Sequence, residues 1–143
     1  MRVTTLPAHA VARTTEIQIR PAFSVVVVSF NTMKTNAMCL RSVLKHLGKD
    51  DELIVVDNAS TDDTTAYLRS LTDSRIRLVL NTENVGYSIG MNQGLRMATG
   101  EHVVLLNPDT AVPPHWLERM RAHFRDARVG AVGPITDRAG GCQ

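Results

Sequence analysis

The chain has 143 residues, of which 43% are hydrophobic, so it is long and apolar enough for one domain with a real core. Its formal net charge is only +2 with both signs interspersed, which leaves no basic stripe to neutralise a phosphate backbone and excludes nucleic acid as the main partner. Aromatic content is 4%, too little for a platform on which bases or sugars stack.

Residues 1–22 mix Thr, Ala, His, Arg and Pro without an apolar segment and read as a flexible leader or arm, not a cleaved signal. Residues 24–29, centred on four consecutive valines, form a β-branched run expected of a central strand buried on both faces. A helical pattern follows through Ala37, Leu40, Val43, Leu44 and Leu47, with Gly48 at its expected end. Residues 53–56 form a second strand ending in Asp57. Ser60 and Thr61 then mark a helix start, with Asp62 and Asp63 expected in the first turn, where the helix dipole favours acids.

Residues 76–80 read as a third strand and residues 81–86 as a polar loop. Ser88 is the expected cap of a helix through Ile89, Asn92, Leu95 and Ala98, closed by Gly100. The fourth strand, residues 102–106, looks buried and stops on Asn107-Pro108-Asp109. Pro113-Pro114 should open a further helix through Trp116, Leu117, Met120 and Phe124, and residues 129–132 a short last strand. Strands alternating with helices specify an α/β fold with a mostly parallel sheet and helices on both faces. No apolar stretch is long enough to span a bilayer. Cys39 and Cys142 have neither metal-ligand spacing nor a redox pair motif, so a reducing compartment is the default and both read as incidental.

In such sheets ligands sit outside the carboxyl ends of the strands, and here those ends are polar: Ser29-Phe30-Asn31, Asp57-Asn58, Asn81 with Asn84, and Asn107 with Asp109. Each alone is an ordinary turn residue, and Asn-Pro-Asp is an ordinary turn, but four segments delivering amides and carboxylates to one edge are what a small-molecule cleft requires. Residues 29–34 contain no glycine, so a dinucleotide turn is absent, as is a phosphate-loop signature. A phosphoacceptor receiver domain would need acids after the first strand, where Asn31 stands.

Together these segments resemble the inverting family 2 glycosyltransferases of the GT-A fold. The segments that carry the likeness are Ser24-Val-Val-Val-Val-Ser-Phe-Asn31, Ile54-Val-Val-Asp-Asn-Ala-Ser-Thr-Asp62, Asn84-Val-Gly-Tyr-Ser-Ile-Gly-Met-Asn-Gln-Gly94 and Leu105-Leu-Asn-Pro-Asp-Thr110. The likeness covers residues 23–134 and is nearest the branch of rhamnosyl- and galactofuranosyl-type transferases. It implies a Rossmann-like GT-A nucleotide-binding half over residues 23–143, acting in cell-wall or polysaccharide biosynthesis. Ser29, Phe30 and Asn31 would line a nucleotide pocket, and Asp57 would accept hydrogen bonds from base or ribose. Gly86, Asn92 and Gly94 would approach the sugar-diphosphate. Asp109 would bind Mg²⁺ or Mn²⁺, with Asn107 or Thr110 assisting. The donor would be a UDP- or dTDP-linked sugar and the acceptor a glycan or lipid-linked saccharide.

Electrostatics supports the metal separately, because a carboxylate about 4 Å from a phosphate charge is repelled by roughly 4 kcal/mol at an effective dielectric of 20 unless a cation intervenes. The family pattern breaks at two points. Asn107 stands where many relatives have another acid, and no catalytic base is visible: Glu118 and Asp126 read as surface charges on the last helix, and Asp137 lies in a Gly-rich tail. The expectation is therefore a donor-binding portion lacking the acceptor half, or else a non-catalytic nucleotide-sugar-binding module. Its location would be cytoplasmic or peripheral at the inner face of the membrane. Apolar surface left uncovered would favour a homo-oligomer or a second subunit. The donor reading is motivated by Asp57 and Asp109 at what should be adjacent strand ends.

Overall fold

Alternate valines of the first strand must face opposite ways, and each set finds its own core. The computed structural model describes residues 22–134, so Asp137, Cys142 and all but the last residue of the expected leader lie outside the described residues. Strand β1 (Phe23–Ser29) sends Val25 and Val27 into a cluster with Cys39, Leu40, Val43, Leu53, Val55, Leu68, Trp116 and Leu117. Val26 and Val28 pack on the other face with Ile54, Val56 and Met91.

The first face is covered by α1 (Met33–His46), α2 (Thr64–Ser70) and α4 (Trp116–His123), and the second by α3 (Tyr87–Met97). Strands β2 (Glu52–Asp57), β3 (Ile76–Leu80) and β4 (His102–Leu106) complete a sheet of order β3-β2-β1-β4 in which every pairing is parallel. The expected α/β architecture with helices on both faces is the one observed. The strand order reverses at β1, so the crevice for a ligand opens between the carboxyl ends of β1 and β4.

Several local expectations change. Ser88 lies inside α3, whose cap is Gly86 at φ +81°, because the Asn84 side chain accepts the Gly86 N–H and turns the chain two residues earlier. Helix α3 ends at Met97, three residues before Gly100, which instead lies against the backbone of Phe23 and Ser24. Asp62 and Asp63 precede α2 rather than occupying its first turn; the Asp62 carboxylate accepts the Thr64 N–H at 3.0 Å. The prolines at 113–114 do not open α4, which begins after His115 in a left-handed conformation. Asp126 therefore lies beyond α4, and residues 129–132 pair with no strand. Strand β4 is not buried on both faces: it is an edge among the described residues, with Val103 and Leu105 exposed on the α3 side. No helix of the described residues is long and apolar enough to cross a membrane.

At the amino end of the sheet, Glu52 is buried and ties α3 to the strands. Its carboxylate accepts hydrogen bonds from Ser24 Oγ, the Thr99 N–H and hydroxyl, and Arg77 Nη1, all within 2.8 Å. Burial alone would raise its pKa, but these bonds, led by those from Ser24 and Arg77, hold it down from 4.5 to about 2. A depressed carboxylate contributes stability above its unfolded pKa and loses it as pH falls from about 4.5 toward 2. That contribution is about 3 kcal/mol at neutral pH. Glu52→Gln is expected to lower the thermal midpoint markedly at pH 7, with the gap to wild type narrowing by more than half at pH 3. A gap independent of pH in thermal melts would refute this assignment.

Candidate functional site

Every strand contributes its carboxyl end to one edge, and the polar groups there divide into those that build the edge and those left facing out of it. Ser29 and Asp57 are partners in the β1–β2 register, and both are about 1% exposed. The Ser29 hydroxyl accepts from Asn36 Nδ2 at 2.8 Å and pairs with the Thr32 hydroxyl, so it fixes the start of α1 rather than lining an open surface. Asp57 receives the Ser60 hydroxyl on one oxygen and the Thr65 hydroxyl on the other, which locks the loop between β2 and α2.

Phe30 and Asn31 extend past the end of β1 and are exposed. Asn31 adopts φ +51°, a left-handed conformation that asparagine tolerates better than most residues. The turn aims its Oδ1 at the next loop, where it accepts the Thr61 N–H at 2.7 Å and the Asp62 N–H at 3.3 Å, while the Asn31 N–H donates to Ser60. A cavity of about 550 Å³ opens beside this junction, lined by residues 31–35, Asp62 and Asp63.

Helix α3 reaches the same edge through amides. Asn58 is 2% exposed; its Nδ2 donates to the Gly86 carbonyl at 3.1 Å and its Oδ1 accepts from Asn81, which also exchanges hydrogen bonds with Gln93. This buried amide relay fixes the amino end of α3 over β2 and β3. Gly90 and Gly94 let the helix lie flat, since a Cβ at Gly94 would land on Val26 Cγ1. Gly94 packs on the sheet, and Gly86 makes the positive-φ turn at the amino end of α3. Asn92 stands exposed on the second turn of α3, and no hydrogen bond among the described residues ties it to the edge.

Beyond β4, Asn107 to Thr110 form a tight turn closed by the Thr110 N–H on the Asn107 carbonyl at 3.2 Å, with Pro108 in the position a fixed φ favours. Asn107 and Asp109 are both exposed, and Tyr87 Oη lies 3.5 Å from Asn107 Oδ1. Asn-Pro-Asp is thus a turn, and Asp109 within it is exposed. Asp57 and Asp109 are not at adjacent strand ends: β1 lies between β2 and β4, which separates the strands by about 10 Å. Among the described residues no three His, Cys, Asp or Glu side chains come together as a metal site.

Beneath the turn, the Cys39 thiol is fully buried, and burial pushes its pKa up to about 11. Glu118 belongs to the opposite end of the sheet, where it lines a cavity of about 490 Å³ with Glu101, His102 and Arg121. Asp126 is exposed and paired with Arg128 at 2.7 Å. Neither acid is placed to activate a nucleophile at the carboxyl edge.

The family model described as Glycosyl transferase family 2 matches residues 24–143. The chain belongs to this family. Among its relatives, the succinoglycan biosynthesis protein ExoO of Rhizobium meliloti is 33% identical over 111 residues, which are 76% of this chain and 32% of that protein. The mannosyltransferase PcManGT of Pyrobaculum calidifontis, solved in complex with GDP-Man and Mn²⁺, is 33% identical with a TM-score of 0.60; the match covers 67% of this chain and 30% of that one. TarS of S. aureus, at 23% identity and a TM-score of 0.67 over 80% of this chain and 38% of that one, shares the fold. The chain thus spans about a third of the length of the relatives it matches. In this family 2 fold the end of β1, the α3 amino end and the Asn107–Thr110 turn lie at one edge of the sheet.

Sequence reading missed what holds this family 2 edge in place. Asn58 and Asn81 were visible as polar strand ends, but their joining through Gln93 was not, because the three belong to different elements. Thr65 and Ser60 gave no signal beyond a helix start.

Proposed function

We propose that this chain is the donor-binding portion of an inverting, metal-assisted sugar transferase that uses a nucleoside-diphosphate sugar, UDP- or dTDP-linked, and an acceptor glycan or lipid-linked saccharide. The observation that carries the reading is the exposed Asp109 carboxylate beyond β4, the strand next to β1, whose own end carries the exposed Phe30 and Asn31, in a family 2 fold. PcManGT, solved with GDP-Man and Mn²⁺, supports a divalent ion accompanying the nucleotide sugar.

The residues present fit that ion on one condition. Asp109 offers one carboxylate, with the exposed Asn107 two residues before it in the same turn, and Mg²⁺ or Mn²⁺ is commonly held through one or two carboxylates plus substrate phosphates and water. The ion would supply charge neutralisation for the departing nucleoside diphosphate. The separation of Asp57 and Asp109 suits a donor lying across the end of β1, with the nucleoside toward β2 and the diphosphate toward β4. Asp57 would meet base or ribose by exchanging the Ser60 hydroxyl for a donor on the ligand. Phe30 would offer its exposed ring to the nucleoside. An acceptor hydroxyl would form its bond to the anomeric carbon as the bond to the diphosphate breaks, passing its proton to a base outside the described residues. The site would face the cytoplasm, at or near the membrane that carries a lipid-linked acceptor. The exposed Val103 and Leu105 beside α3 are where further protein, from a longer chain, a second subunit or another copy, would pack.

Calorimetric titration with UDP, dTDP and GDP, with and without Mn²⁺, tests the reading. Binding strengthened at least tenfold by manganese is expected for one of them. No heat from any nucleotide in either condition would sink both the transferase portion and a simple binding module.

A further inference from the structure

We propose that Ser42 and Cys39, on the buried face of α1, are positioning residues that clamp the turn carrying Asp109 and so preset its carboxylate for the diphosphate-bound metal. This rests on the donor-site reading above.

The geometry is a two-point staple. Cys39 Sγ lies 3.5 Å from the Asn107 carbonyl oxygen, to which the thiol donates, one residue past the end of β4. Three residues along the same helix face, Ser42 Oγ accepts the Val112 N–H at 3.1 Å. The Ser42 hydroxyl proton is committed to the Cys39 carbonyl at 2.8 Å, which leaves its lone pairs for Val112 and fixes the direction of the bond. Between the two anchors lie only Pro108 to Ala111, closed by the Thr110–Asn107 turn bond.

The anchors of this segment sit on buried apolar side chains, while its tip is exposed. Val112, Trp116 and Leu117 pack in the same core cluster as Cys39 and Val43, while Asp109 at the turn apex is exposed. Without the staple, a loop joining an edge strand to a short helix would pay its ordering entropy when ligand binds. With it, a site that has one carboxylate, and no second acid at position 107, holds that carboxylate ready. A serine and a cysteine on one face of α1 thereby act on metal affinity without touching the metal.

The test uses the full chain and compares wild type, Ser42→Ala, the restoring Ser42→Thr and the double change Cys39→Ala with Ser42→Ala. Amide hydrogen exchange of the unliganded protein should accelerate at Val112 and Thr110 by about tenfold in Ser42→Ala, with β1 amides unchanged. Affinity for the nucleotide that binds wild type most tightly should fall three- to tenfold with Mn²⁺ and stay the same without it. The double variant should lose more, and Ser42→Thr should recover both properties. An unchanged Val112 amide, or equal losses with and without manganese, overturns the clamp alone. Absence of manganese-dependent binding in wild type overturns the donor-site reading, and this inference with it.

Discussion

Asp109→Ala is expected to bind nucleoside diphosphate about a hundredfold more weakly than wild type in the presence of Mn²⁺, and slightly more tightly in its absence. The opposite signs follow from one charge. With a cation between them, the carboxylate and the diphosphate attract it jointly; without the cation they repel each other, and alanine removes that repulsion. Asp109 is exposed, and no hydrogen bond involving its side chain is present among the described residues, so the thermal midpoint should move by no more than about 1 °C. Paired titrations with manganese or a chelator provide the measurement. A variant that keeps the full manganese effect would place the ion on other residues, and one weakened equally in both conditions would mean that the aspartate acts on the shape of the turn instead.

The second large effect is on stability. Gly94→Ala should cost about 2–3 kcal/mol and lower the thermal midpoint by roughly 10 °C. On an exposed helix the same change stabilises by up to about 1 kcal/mol, because alanine is the better helix former. Here the added methyl would coincide with Val26 Cγ1 and lie 3.4 Å from Val56 Cγ2. Val26 is fully buried and β-branched, so it has no alternative rotamer to adopt. Helix α3 would have to lift off the sheet, straining the Asn58–Gly86 and Asn81–Gln93 bonds at the edge. Arg96→Ala, on the exposed side of the same helix, should leave the midpoint nearly unchanged. Stabilisation by Gly94→Ala in thermal melts would contradict the close approach of α3.

The residues that announced themselves in the sequence were those whose position along a strand settles their role. Asn107-Pro108-Asp109 had to project beyond the sheet because proline cannot extend a ladder, and Asp109 does so. Ser29 and Asp57 were visible at strand ends for the same reason, yet both are buried and satisfied by neighbours. Whether a strand-end side chain faces inward or outward depends on its register parity and on the loop that folds over it. Ser60 and Thr65 close over Asp57, and no local pattern encodes that. Gly94 was legible as a glycine with a purpose, but its purpose required knowing that Val26 lies beneath it.

Local chemistry therefore determined the order of strands and helices: valine runs, helical periodicity and the proline after Asn107 act over a few residues whatever the surroundings. Tertiary structure alone decided which ends meet. The reversal of strand order at β1 put β4 rather than β3 beside it, set Asp57 and Asp109 on either side of one strand, and left Val103 and Leu105 of β4 exposed among the described residues. It also brought Cys39 and Ser42 of α1 against a turn some 70 residues later, where two hydrogen bonds hold an exposed carboxylate. Such pairings depend on hydrogen bonds and side-chain volumes between distant segments, which no local periodicity records.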